Sequence, residues 1–133
     1  MQLQVGVKVL LQNDKNEYLF IQRTVKMEGE TEPHWDIPGG RIDPSEPLMD
    51  ALRREIDEET GMELSGIPKL LAAQDIFVQA KDLHVVRLTY EAKGSGDVVV
   101  SDEHQKVSWW TSEQALAQNI DSYVREVLRD QER

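Results

Sequence analysis

Residues 40–62 read GRIDPSEPLMDALRREIDEETGM, and the period of this stretch decides how the rest of the chain is read. Ser45-Glu46-Pro47 offers a serine for a helix N-cap and a proline for the first turn, and Gly61 suits the position just past a helix C-terminus. The spacing predicts a helix between them. A helix advances by about 100° per residue, so Glu58 and Glu59 fall within about 60° of Glu55 on either side, gathering three carboxylates on one arc. That arc is not the expected solvent face. Leu48, Ala51 and Leu52 lie on the same stripe one or two turns earlier and Ile56 lies at its edge, whereas Asp50, Arg53 and Asp57 project from the opposite side. Glu55 and Glu59 occupy places where the pattern calls for leucine.

Clustered carboxylates near a helix C-terminus repel one another and oppose the helix dipole. A cation should offset that cost. Magnesium prefers carboxylate and water oxygens and bridges to substrate phosphates, while Arg54, beside Glu55 and Glu58, can hold a carboxylate in a fixed orientation. On this helix alone, a merely solvated acidic face is the competing reading.

Outward from the helix, Val5–Leu11 and Tyr18–Gln22 are apolar and β-branched, and Asn13-Asp14-Lys15-Asn16 between them is turn chemistry, which predicts a β-hairpin. Residues 24–33 have no apolar period and read as a mobile loop. Pro38-Gly39-Gly40 interrupts regular structure while permitting unusual backbone angles. Further along, Lys69–Gln79 and Leu83–Ala92 are expected as strands, with Gly94-Ser95-Gly96 as a break, and Val107–Trp110 as a short strand. Thr111 and Gln114 can form a capping box for a short helix through Ala117, and Ile120–Arg129 carries a second amphipathic pattern. Strands on both sides of a central helix, with helices at the end, point to an α/β fold with a mixed sheet.

The 133 residues, 39% of them hydrophobic, suit one domain spanning 1–133, and no cysteine is present to supply a disulfide, a thiolate metal site or a thiol nucleophile. The chain has no apolar run long enough to span a membrane and no secretory leader pattern, so it reads as soluble and cytoplasmic. A net charge of −10 argues against a nucleic-acid polymer as partner, and no membrane is expected as one. A polyphosphate can bind such a protein only where basic side chains or metal invert the field.

Gly40, five residues, Glu46, seven residues, Arg54-Glu55-Ile56, one residue, Glu58-Glu59, one residue and Gly61-Met62 resemble a complete Nudix box. The resemblance implies a Nudix-type α/β/α sandwich whose loop-helix-loop site hydrolyses nucleoside diphosphates linked to a further group. It also implies magnesium as cofactor, with manganese as a substitute, bound by the Gly39 carbonyl and by Glu55, Glu58 and Glu59. Arg54 would orient a catalytic carboxylate and Glu46 would brace the box. An additional acidic ligand is expected before the late strand, where Glu103 is the candidate and Asp102 its neighbour. Glu55 or Glu103 is the expected base; nothing in the residues chooses between them.

For substrate, Arg23 at the end of the second strand and Arg41 after the glycine pair are candidate phosphate contacts, with Lys26, His84 and Arg87 ranked below them. Trp35 and His34 could meet a base, although Trp35 suits packing equally. Asn119 could read a base or cap the helix that starts at Ile120. Trp109 and Trp110 read as core and edge aromatics. The expected activity is cleavage of a phosphoanhydride bond in a nucleoside di- or triphosphate, including a noncanonical or oxidised one, by a monomer or homodimer. A nucleotide-sugar or dinucleoside polyphosphate hydrolase stays open beside it, although residues 75–79 carry neither the proline nor the tyrosine that marks two such subgroups about sixteen residues beyond the box. So does a non-catalytic nucleotide sensor, against which the retained carboxylates argue.

Overall fold

β1 (Gln2–Gln12) is the axis of the sheet in the computed structural model, which describes residues 1–99 and 106–132. Successive side chains of a strand point to opposite faces, and β1 follows that rule. Val7, Val9 and Leu11 enter one core with Ala51, Leu52 and Ile56 of α1 (Leu48–Thr60). Leu10 enters the other core with Val124, Val127 and Leu128 of α3 (Ser122–Gln131) and Ala115 of α2 (Ser112–Leu116). The sheet therefore lies between helices, as the expected α/β/α sandwich requires.

Among the described residues the sheet has seven strands. Its main path runs β3 (Trp35–Asp36), β2 (Tyr18–Gln22), β1, β6 (Leu83–Ser95), β5 (Glu63–Val78). β6 lies parallel to β1 along its whole length, from Gln2 opposite Leu83 to Gln12 opposite Lys93, while β5 is antiparallel to β6. β7 (Val107–Trp110) pairs with the outer side of β2.

The expected hairpin of β1 and β2 exists only at its turn, where Gln12 pairs with Tyr18. Beyond that point the strands part. β4 (Gly39–Arg41) pairs with Gly6–Lys8 of β1, and β3 pairs with Ile21 and Gln22 of β2, so residues 35–41 form a wedge in the fork. β5 begins at Glu63 rather than Lys69, with register shifts between Ser65 and Lys69 and between Leu70 and Ala72 that interrupt the alternation a strand is recognised by.

Four caps can be compared with expectation. Gly61 ends α1 at φ 69, and Thr111 with Gln114 forms the capping box at α2. Ser45 does not cap α1. The Glu46 N–H donates to the Asp43 carbonyl and the Asp43 N–H to Glu46 Oε1, a turn that puts Ser45 at φ 68 and leaves Pro47 as the N-cap. Likewise Asp121, not Asn119, caps α3, accepting the N–H groups of Tyr123 and Val124, and Ile120 instead bridges to Trp35.

Candidate active site

The wedge and the helix make one site because glycine lets them approach. A Cβ on Gly40 would lie 2.6 Å from the carboxylate of Glu55, and one on Gly39 would lie 2.1 Å from the Val7 carbonyl oxygen, with Gly39 itself at φ 148. Only glycine lets this backbone run so close to both β1 and α1.

Arg54 organises the carboxylates. It grips Glu46 through two hydrogen bonds, Nε to Oε2 at 2.7 Å and Nη2 to Oε1 at 2.9 Å. Nη1 reaches Glu55 Oε1 at 2.9 Å and Glu58 Oε2 at 3.3 Å, and Nη2 also donates to the Arg41 carbonyl. A planar guanidinium held on one side by a bidentate carboxylate presents its remaining N–H groups in a fixed direction. Arg54's hydrogen bonds, with a further bond from the Asp43 N–H, hold the Glu46 carboxyl down to about 2. Glu59, on the next turn, accepts the Gly39 N–H at 3.1 Å. Burial pushes its carboxyl above the usual value, against the opposing pull of Lys8, the Gly39 N–H and Arg23.

The donors offered here, three helical carboxylates and the carbonyls of a glycine turn, are hard oxygens of the kind magnesium and manganese accept, and no thiolate competes. Among the described residues, the acidic and histidine side chains whose ligand atoms already gather within 4.8 Å are a different set, His34, Asp36 and Asp121. That set is occupied by the protein's own cations. Asp36 binds Lys8 at 3.0 Å and Arg23 at 2.5 Å, and Asp121 binds Arg87 at 2.9 Å while capping α3. Burial works to raise the Asp36 carboxyl, but Lys8 and Arg23 outweigh it and hold it well below the usual range.

Two of these cations, Lys8 and Arg87, line a depression in the surface. A depression of about 190 Å³ beside Gly40 is walled by Arg41, Lys8 and Arg87. A second, of about 270 Å³, opens between Glu30, His34, Asp121 and Tyr123. Arg87 sits 5.5 Å from the Tyr123 ring centre. On a protein of net charge −10, the first of these depressions is lined by three basic side chains.

Of the expected substrate residues, Arg23 is about one-third exposed and leans on Asp36, and Arg41 is exposed at the first depression. Asn119 Nδ2 donates to Glu30 Oε2 at 3.0 Å, tying the 24–33 loop to the start of α3. Trp35 packs edge-on against Trp110 with ring centres 4.9 Å apart, and its backbone exchanges hydrogen bonds with Asn119 and Asp121, so it contributes to the core rather than to an open platform. His84 lies away from the site, bonded to Asp75 and stacked on Phe77. Glu103 and Asp102 fall outside the described residues. The sequence reading missed Lys8, Asp36 and Asp121. A lone lysine in the apolar run Val-Gly-Val-Lys-Val-Leu-Leu was the available signal, because a buried charge demands a partner.

Comparison with known proteins agrees with this geometry. The NUDIX domain model matches residues 2–131. The nucleoside triphosphatase NudI of Salmonella agona is 27% identical over 128 residues, covering 90% of this chain and 89% of that protein. The 8-oxo-dGDP phosphatase NUDT18 of Danio rerio is 29% identical over 115 residues, which is 83% of this chain but 33% of that protein. Among solved structures, the MutT NUDIX hydrolase of Burkholderia pseudomallei superposes with a TM-score of 0.82 at 30% identity, covering 97% of this chain and 98% of that one. The match over nearly the whole length, on a chain whose box residues meet around Arg54, shows that this protein belongs to the NUDIX domain family and is a Nudix hydrolase.

Proposed function

We propose that this protein hydrolyses a phosphoanhydride bond in a nucleoside di- or triphosphate, including oxidised or noncanonical forms, with magnesium held by Glu55, Glu58, Glu59 and the Gly39 carbonyl and manganese able to replace it. The observation that carries this reading is the convergence of Glu46, Glu55 and Glu58 on Arg54, with Glu59 bonded to the Gly39 turn. Bound by these residues, the metal would supply charge neutralisation for phosphate oxygens and would lower the pKa of a water molecule. The protein's side chains supply the rest. Arg54, anchored by Glu46, fixes the rotamer of Glu55. Glu55 is placed to take a proton as the water oxygen bonds to phosphorus and the bridging P–O bond breaks, releasing phosphate or pyrophosphate; Glu103 is the alternative base. Arg23 and Arg41 bind phosphate oxygens, and the pocket beside His34, Asn119 and Tyr123 takes the nucleoside.

The relatives named for nucleoside triphosphates and for 8-oxo-dGDP support this substrate class. We place the protein in the cytoplasm as one domain acting on a small nucleotide rather than on a nucleic-acid polymer or a membrane. No helix among the described residues is long and apolar enough to cross a bilayer. The test is a magnesium-supplemented panel of nucleoside di- and triphosphates, their oxidised forms, nucleotide sugars and dinucleoside polyphosphates. Turnover concentrated in the first two groups is expected. Turnover confined to the last two replaces the substrate class, and none at all refutes the reading.

A further inference from the structure

The fork between β1 and β2 is where the sheet's own ladder gives least support, and the wedge that fills it carries Gly39. Across the fork the protein places buried charge. Lys8, 7% exposed in the middle of β1, donates to Asp36 Oδ2 at 3.0 Å and to the Ile37 carbonyl at 3.3 Å. Asp36, 3% exposed, takes the Ile37 N–H on Oδ1 at 2.7 Å. Arg23, just past β2, closes on the same Oδ2 from the far side. The stem of Lys8 completes the mould: a Cβ on Gly39 would lie 2.7 Å from Lys8 Cα and 3.0 Å from Lys8 Cδ. One side chain thus sets both the approach of residues 36–37, through its ammonium, and the clearance at Gly39, through its methylenes.

Stability is a poor reason for such an arrangement. Taking an ammonium and a carboxylate out of water costs about as much as their attraction returns, and an apolar pair of the same volume often serves the fold as well or better. The neighbouring cores show that this sheet can be filled with valine and leucine.

We propose that the Lys8–Asp36 ion pair is a positioning device for the reaction. It locks the wedge so that the Gly39 N–H meets Glu59 and the Gly39 backbone keeps its place beside the helix. The proposal rests on the metal-binding reading above. Both residues are almost wholly buried. Their effect passes through the backbone between Asp36 and Gly39, and small displacements there are costly because a misplacement of about 1 Å in a catalytic array can lower turnover by about a hundredfold.

The test uses Lys8→Met, which keeps the stem and removes the charge, and the double variant Lys8→Met/Asp36→Asn, which removes both charges. Three quantities are read: thermal midpoint, kcat and KM with magnesium, and Mn2+ affinity from the EPR signal of the free ion. Lys8→Met is expected to lose kcat by about 10- to 100-fold with KM changed by less than about threefold, and to bind Mn2+ about tenfold more weakly. It also leaves Asp36 short of a partner, so it loses stability. The double variant is expected to regain the thermal midpoint without regaining kcat or Mn2+ affinity. A double variant that regains all three marks the pair as a fold element only and overturns the proposal, as does one that does not fold, or a Lys8→Met protein with wild-type kcat and Mn2+ affinity. Should the wild type turn over no nucleotide, the proposed function fails while the Mn2+ comparison still decides this inference. A wild type that binds no Mn2+ overturns both.

Discussion

Gly40→Ala isolates the placement of Glu55 from every other feature of the site. Gly40 is not among the residues with positive φ, so alanine meets no backbone penalty there. The new methyl carbon would start 2.6 Å from three atoms of the Glu55 carboxylate, whereas ordinary contact begins at 3.4 Å, so the carboxylate must retreat by about 0.8 Å. It cannot retreat freely, because Arg54 Nη1 holds it at 2.9 Å and Arg54 is itself held by Glu46. A displacement approaching 1 Å in a reacting array costs about a hundredfold in rate, or about 2.7 kcal/mol of barrier. The fold itself should lose less than about 1 kcal/mol, since a partly buried carboxylate is moved and no cavity is made. Steady-state kinetics on the best nucleotide, with urea denaturation alongside, separates the two effects. The expected result is a kcat near one-hundredth of wild type with a nearly unchanged denaturation midpoint. A kcat within threefold of wild type would refute the assignment of Glu55 to the chemistry.

Other perturbations follow from the same geometry. Because Glu46 is held down to about 2 against an ordinary 4.5, its contribution to stability is complete above the unfolded value and is lost as pH falls from about 4.5 through about 2. Glu46→Gln should flatten the dependence of the urea midpoint on pH across that window, and curves that stay parallel would contradict the Arg54 anchor. Leu52→Ala, on a fully buried position of the α1 core, should cost about 2–5 kcal/mol by denaturant unfolding. Gly61→Ala forces a Cβ into φ 69 with no serious clash, its nearest contact being Val99 Cβ at 3.4 Å, so the expected loss is the left-handed backbone cost alone, about 1–2 kcal/mol.

The helix was the most legible element because everything that defines it is local. Along the stripe Ala51, Leu52 and Ile56 are buried and Leu48 is partly buried, as the period required, and Asp50, Arg53 and Asp57 are exposed. Gly61 and the Thr111–Gln114 box are likewise short-range devices. What the sequence hid was long-range. Nothing in Val5–Leu11 announces a parallel partner at Leu83–Lys93, nor that a wedge from residues 35–41 opens the apparent hairpin. Ser45 failed as a cap because Glu46 spends its side chain and backbone on Asp43, a turn that competes directly with serine capping. Asn119 and Asp121 are both good cap residues two positions apart, and the bridge of Ile120 to Trp35 decided between them. At the site, the residues around Arg54 could be proposed from spacing, whereas the Lys8–Asp36–Arg23 group joins β1, β3 and the residue just past β2 and became visible only when these were assembled.

The most direct test of metal-assisted hydrolysis at this helix is phosphate or pyrophosphate release from nucleoside triphosphates by wild type and by Glu58→Gln, each stripped of metal and then titrated with Mg2+. Glu58 is more than half exposed and touches only the edge of the Arg54 array, so the substitution should leave the thermal midpoint in place. Wild type is predicted to be silent after chelation and to recover with Mg2+, and Glu58→Gln to stay inactive at every Mg2+ concentration while remaining folded. Wild-type turnover that survives chelation, or Glu58→Gln turnover at the wild-type rate, would contradict the account.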